Sequence, residues 1–160
     1  MCALTDRFNI DLLEINDTNA KYDGRELLKL GAGVSRTTFK LDTNRVIKIS
    51  DIEESDDQIR EIQNIRTLKR SPFKDHILDI SRAYEKDGLY VAVQEMGIGM
   101  LVADCNLLVV TEYKELRTRI EEYMVDAMGR ADCDLDLHTE NACWSRRRGL
   151  QIFDLGFSLA

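Results

Sequence analysis

The chain has 160 residues, 44% of them hydrophobic and 32% charged, which suits one globular domain with room for a real core. A net charge of −7 disfavours a non-specific nucleic-acid binder, because phosphate neutralisation needs a basic surface. One proline and nine glycines argue against a disordered chain, and the longest apolar stretches, near Gly99–Ala103 and Leu107–Val110, are far too short to span a bilayer.

In chain order, Met1–Arg7 has no basic region followed by a long apolar run, so a cytoplasmic protein is expected. Four cysteines, Cys2, Cys105, Cys133 and Cys143, form no CxxC pair and are expected to remain thiols. Phe8, Ile10, Leu12 and Leu13 supply the first apolar residues, before a turn at Asn16–Asn19. From Glu26 to Lys40 the pattern is strand, glycine turn, strand: Leu27–Leu30, Gly31-Ala32-Gly33, then Thr37–Lys40. After a turn at Asp42–Asn44 comes the β-branched strand Val46–Ile49. Ser55 followed by Gln58 predicts a capping box opening a helix with Ile59, Ile62, Ile65 and Leu68 on its apolar face. Leu89–Val93 is another strand, and Glu112–Met128 has helical spacing through Leu116, Ile120, Tyr123, Met124 and Ala127. Ala142–Ser145 and Leu150–Phe153 flank a turn at Arg146–Gly149, which predicts a hairpin. This order of elements predicts an α+β protein, with residues 1–160 forming a single domain.

Five features carry chemistry. A glycine turn between strands lets backbone N–H groups approach phosphate oxygens, although the same turn suits a plain hairpin. Lys48 is the one cation in an apolar strand and lies on the face opposite Ile47 and Ile49; a solvent-facing lysine is the simpler alternative. Glu61 falls on or beside the apolar face of the following helix, where a carboxylate is costly unless paired, unless it reaches water at the edge. Asp136 precedes Asn141 by five residues, a spacing that suits an acid accepting a hydroxyl proton and an amide binding metal. Asp154 follows the short apolar segment Ile152-Phe153 and precedes Leu155-Gly156, a setting for a second metal ligand. A turn acid is the alternative for each aspartate.

With those residues in that order, the chain resembles the protein-kinase-like superfamily from about Glu26 to Gly156. The stretch Leu30–Lys40 followed by Asn44–Lys48 is similar to the early serine/threonine kinases of short-tailed lytic phages. The resemblance implies a two-lobe fold: an antiparallel sheet with one helix over about 1–95, and a reduced lobe over about 96–160. It implies that Gly31, Gly33 and Ser35 cover ATP, that Lys48 binds its phosphates with Glu61 as partner, and that Gln94-Glu95-Met96 is the hinge that holds adenine through backbone groups, with Glu95 and Met96 as the binding residues. It further implies Asp136 as the catalytic base and Asn141 and Asp154 as Mg ligands. The chain departs from the pattern at Arg36, which replaces the third loop glycine, and at Asp134 and His138 around the base. Only four residues follow Gly156, so the expectation is a strongly reduced second lobe without a peptide-seating groove.

The function this resemblance implies is an ATP- and Mg-dependent serine/threonine-type phosphotransferase acting on itself or on a docked host protein, in the bacterial cytoplasm if phage-encoded, with a homodimer one way to complete the lobe. A kinase-like binding module that inhibits or scaffolds a host protein is the first alternative, and a small-molecule kinase, favoured by His138, the second. Asp132, Asp134 and Asp136 alternate like a calcium loop, but Leu137 and Cys143 stand where that loop needs Gly and Glu. Cys133, His138 and Cys143 fit no standard zinc spacing. Arg146–Arg148 fits a solvated hairpin tip, with docking of an acidic partner or nucleic acid as its alternative, and His76 fits a structural role.

Overall fold

Two Asp-Gly pairs set the geometry of the first hundred residues. Asp23 and Gly24 have φ of 52° and 76°, and Asp87 and Gly88 have φ of 52° and 78°. Positive φ at both central positions is the two-residue hairpin turn whose twist matches that of the strands it joins. The computed structural model describes residues 8–16, 18–32, 36–129, 135 and 137–153, and among them the protein is α+β with antiparallel sheets and two α-helices.

The first turn joins β2 (Ala20–Tyr22) to β3 (Arg25–Glu26), which with β1 (Leu13–Ile15) makes a three-stranded sheet in the order β1-β2-β3. The Asn16 side chain shapes the β1–β2 turn by accepting from the backbone N–H of Thr18 and Asn19 at 3.0 and 2.7 Å. A five-stranded sheet follows, built from β4 (Leu28–Ala32), β5 (Thr37–Lys40), β6 (Arg45–Asp51), β7 (Tyr84–Lys86) and β8 (Leu89–Glu95), in the order β4-β5-β6-β8-β7. The second Asp-Gly turn joins β7 to β8. Helix α1 (Asp56–Lys69) lies between β6 and β7 in the chain. Beyond β8 come β9 (Met100–Leu101), helix α2 (Leu107–Met128), β10 (Ala142–Ser145) and β11 (Gly149–Ile152), with a sheet ordered β11-β10-β9.

The backbone divides into two compact units, Met1–Ile62 with Asp79–Met96, and Gln63–Leu78 with Gly97–Ala160, so the division falls inside α1. In the first unit, strand alternation gives the five-stranded sheet two unlike faces. Phe39, Ile47, Ile49, Val91 and Val93 point into a buried apolar core with Phe8, Leu13, Ala20, Leu27 and Leu41. Each of these side chains except that of Ala20 contributes about 1.5–3 kcal/mol by leaving water. Phe8 stacks on Tyr22 at 5.2 Å, and the Lys86 ammonium donates to the carbonyls of Ile10 and Leu13, which fastens the first residues to the core. The opposite face carries Thr38, Lys48 and Ala92 in one cross-strand row.

Two expectations are corrected here. The Ser55–Gln58 capping box does not form: the Ser55 hydroxyl and N–H both donate to the Ile52 carbonyl, and the Gln58 amide goes to the sheet instead. Helix α2 starts at Leu107 rather than Glu112, because the Asn106 side chain caps it by accepting from Val109 N–H at 3.1 Å. Its buried stripe is Val109, Tyr113, Leu116, Ile120 and Met124, while Leu107 and Leu108 are exposed. The 142–152 hairpin forms as expected, with Ala142 opposite Ile152 and Ser145 opposite Gly149. No helix among the described residues is long and apolar enough to cross a membrane.

Candidate functional site

Strand β6 is the middle strand of the five-stranded sheet, paired with β8 from Arg45 to Asp51 and with β5 from Val46 to Ile49. Because Ile47 and Ile49 enter the apolar core, Lys48 must point to the other face, and that face meets the first turns of α1. There the Lys48 ammonium lies 2.5 Å from Oε1 of Glu61, whose side chain is fully buried, while that of Lys48 is 7% exposed. A buried carboxylate is sustained only by partners that replace its lost hydration. Glu61 has a second one: Nη1 of Arg36 donates to Oε2. Each carboxylate oxygen is therefore held by a different cation. Gln58, one helical turn before Glu61, donates its amide to the carbonyls of Lys48 at 3.1 Å and Tyr90 at 3.2 Å, which ties α1 to β6 and β8.

Gly31 lies in β4 opposite Thr38, just after an irregularity between Lys29 and Gly31. A Cβ placed there would meet nothing within 4 Å, so the backbone is open on that side. Gly33 and Ser35, expected at the tip of the same turn, lie outside the described residues. Glu95 and Met96 end β8 and follow it, but their N–H groups are committed within the fold. Glu95 donates to the Asp79 carbonyl at 2.9 Å and Met96 to the Asn44 carbonyl at 2.7 Å. The Asn44 carbonyl belongs to the β5–β6 turn. There Asp42 accepts from Arg45 Nε and Nη2 at 2.8 and 2.7 Å and from Asn44 N–H at 2.9 Å. Burial raises the Asp42 carboxyl, but these bonds and the Arg45 charge outweigh it and hold the group below the ordinary carboxylate range.

The second unit holds Asn141, at the neck of the β10–β11 hairpin. Its N–H donates to the His138 carbonyl at 2.9 Å, and its own carbonyl accepts from Phe153 N–H at 3.1 Å. The hairpin register thus brings Asn141 opposite the residue that precedes Asp154. Asp154 and Asp136 themselves lie outside the described residues. The neighbours of Asp136, Leu135 and Leu137, are buried, and the Tyr113 hydroxyl donates to the Leu137 carbonyl at 3.1 Å. Among the described residues no group of three or more His, Cys, Asp and Glu is placed to hold a metal ion. Cys143 is a buried thiol, pushed up by desolvation.

Two roles at the first unit's site were not anticipated from the sequence: Arg36 as a partner of Glu61 and Gln58 as a helix-to-sheet tie. Gln94, the first residue of the expected hinge, lies opposite Val46 on the Lys48 face, buried, with no hydrogen-bond partner for Nε2 among the described residues. The signal for Arg36 was present in the pattern. It stands two residues before Thr38, the cross-strand partner of Lys48, so alternation puts Arg36 and Lys48 on one face. No family model matches the sequence, and no curated protein matches it.

Proposed function

We propose that the chain is an ATP- and Mg-dependent phosphotransferase of the protein-kinase-like kind, acting on a hydroxyl of itself or of a docked protein in the cytoplasm. The observation that carries the reading is the buried ion pair of Lys48 with Glu61. A lysine on the central strand is held by a helix carboxylate, on the sheet face away from the core, in the unit that also contains the open backbone at Gly31. This arrangement suits a phosphate. The ammonium is a compact cation, and the carboxylate fixes where it points. Lys48 would hold phosphate oxygens, with backbone groups of the glycine turn beside it. Asn141 and Asp154 are the residues assigned to Mg, whose part is to neutralise charge on the transferring phosphoryl group. Asp136 is assigned to orient the acceptor hydroxyl and take its proton. The two-lobe kinase arrangement belongs to this proposal.

Incubation with labelled ATP and Mg, alone and with host lysate, is the test. Label should transfer to the chain itself or to one lysate protein, and both Lys48→Met and Asp136→Asn should abolish transfer. Asp136→Asn should still bind ATP, because the base acts on the nucleophile more than on the nucleotide. Transfer undiminished in Asp136→Asn would overturn the catalytic assignment.

A second reading, a kinase-like binding module without turnover, is favoured by the committed N–H groups of Glu95 and Met96. Absence of both transfer and any nucleotide-induced rise in melting temperature, at millimolar ATP with Mg, would select it.

A further inference from the structure

Arg146 and Arg147 stand at the tip of the β10–β11 hairpin, exposed, with no ion-pair or hydrogen-bond partner among the described residues. The tip itself is well held. Ser145 Oγ accepts from the Arg148 N–H at 3.1 Å, the Arg148 guanidinium lies 3.0 and 3.2 Å from the Gln151 carboxamide, and Gly149 takes a φ of 68°. Arg148 is thus tied into the hairpin while its two neighbours are not. Below the tip, Met100 of β9 lies opposite Trp144, so their side chains share one face of the sheet. Met100 is 55% exposed and Ile98 45%. Arginine beside methionine and tryptophan is the composition of a protein interface. A nucleic-acid backbone would use the cations but leave the aliphatic side chains in water, and the net charge of −7 opposes it. A protein segment with carboxylates around an aliphatic residue uses both. The chain carries such a segment itself. Asp51 closes β6, Glu53 lies in the single turn that follows, and Asp56 opens α1. All three are exposed, their carboxylates have no partner among the described residues, and Ile52 between the first two is 39% exposed.

We propose that the Arg146–Arg147 tip, with Met100 and Ile98 beside it, is a docking surface for a second copy of this chain, which seats its Asp51–Asp56 segment there. The proposal stands independently of the phosphate role of Lys48. Guanidinium suits the task, because its planar fork matches a carboxylate through two parallel hydrogen bonds. A single exposed ion pair contributes little, so the contact depends on several charges meeting at once, with Ile52 against the aliphatic side chains between them. Two copies that each carry −7 repel at a distance. That repulsion is screened beyond about 8 Å at physiological ionic strength, whereas charges in contact keep most of their attraction. The sign of the salt dependence separates the two effects. A contact between opposite charges weakens as salt is added, while net repulsion alone makes association strengthen.

The experiment is sedimentation equilibrium of the full chain at low and high salt, for wild type, for Arg146→Glu/Arg147→Glu, for Asp51→Lys/Glu53→Lys, and for an equal mixture of the two variants. Wild type is expected to associate reversibly below about 1 mM, more weakly at high salt. Each variant alone has like charges on both surfaces and should associate at least about tenfold more weakly. In the mixture the acidic tip of one variant meets the basic segment of the other, and association should return to within about threefold of wild type. The substituted side chains are exposed, and circular dichroism melting shows that each variant is folded. Where a reversed variant does not fold, Arg146→Ala/Arg147→Ala and Asp51→Asn/Glu53→Gln replace the pair, and each must weaken association about threefold. A wild type that stays monomeric, association that strengthens with salt, a tip variant that associates as wild type does, or a mixture no better than its parts each overturns the proposal. So does a single-stranded oligonucleotide that binds wild type more tightly than a second copy does and is released by Arg146→Glu/Arg147→Glu, which gives the tip to nucleic acid instead.

Discussion

Removing Glu61 should cost the fold far more than removing the lysine it holds. In Glu61→Ala, two cations lose a common carboxylate, and the Lys48 ammonium remains in a site where its side chain is 7% exposed. Breaking a buried pair by deleting one partner costs about 3–5 kcal/mol. In Lys48→Met the hydrophobic stem is largely kept and Glu61 still has Arg36, so the expected cost is about 1 kcal/mol. With a urea m-value of about 2 kcal/mol/M, the first variant should lower the unfolding midpoint by about 1.5–2.5 M and the second by about 0.5 M. The double variant Lys48→Met/Glu61→Leu replaces the pair with apolar bulk and should be more stable than Glu61→Ala, since such exchanges are often neutral. The assay is urea denaturation followed by circular dichroism. Fluorescence of Trp144, the single tryptophan and a residue of the second unit, reports whether that unit unfolds in the same transition. Equal midpoint losses for Glu61→Ala and Lys48→Met would refute the argument that one carboxylate serves two cations. A loss below about 0.5 M for Glu61→Ala would refute its burial as an energetic fact.

Other substitutions probe separate parts of the molecule. Gly99 has φ of +104°, and an added Cβ would fall 2.1 Å from the Trp144 carbonyl oxygen, so Gly99→Ala should cost about 3 kcal/mol, read as a fall in melting temperature. Asn106→Ala removes the cap of α2 and should cost about 1 kcal/mol in urea unfolding. Asp42, held low in the folded protein, contributes stability that is complete above its unfolded value, near pH 4, and lost as pH falls through its folded value. Asp42→Asn should therefore be less stable than wild type at pH 7, and the gap should close on acid titration of the melting temperature. A gap that widened below pH 4 would contradict the direction of that shift.

What could be read from the sequence was whatever a short periodic pattern enforces locally. Alternation across Val46–Ile49 is enough to set Lys48 apart from its neighbours. The position of Glu61 beside Ile65 and Leu68 is enough to predict a carboxylate needing a partner. The β1–β3 sheet was not legible, since its strands have only two or three residues and no period can be detected over that length. Asp23-Gly24 in that sheet and Asp87-Gly88 between β7 and β8 are the dipeptides that two-residue hairpins favour, though neither was among the expectations. The capping box at Ser55 failed for a tertiary reason. Gln58 found carbonyls on β6 and β8, and a bond to the sheet displaced the local one that the spacing suggested. Asp136 and Asp154 were singled out by residue type and spacing alone, since no apolar period runs through their segments of the sequence.

The two unlike faces of the five-stranded sheet give this small protein a separation of duties. Cohesion is concentrated on the face of Phe39, Ile47, Ile49, Val91 and Val93, where the N-terminal strands are glued down. The other face, with Arg36, Lys48 and Gln94, is held by charge and hydrogen bonding instead, and it is no less covered, since Ala92 and Gln94 are buried. A randomised library confined to the half-buried Thr38 should for that reason return mostly folded members, whereas one confined to Ala92 and Gln94, or to Ile47, Val91 and Val93, should return few. The frame is constrained on both faces, by volume on one and by charge pairing on the other.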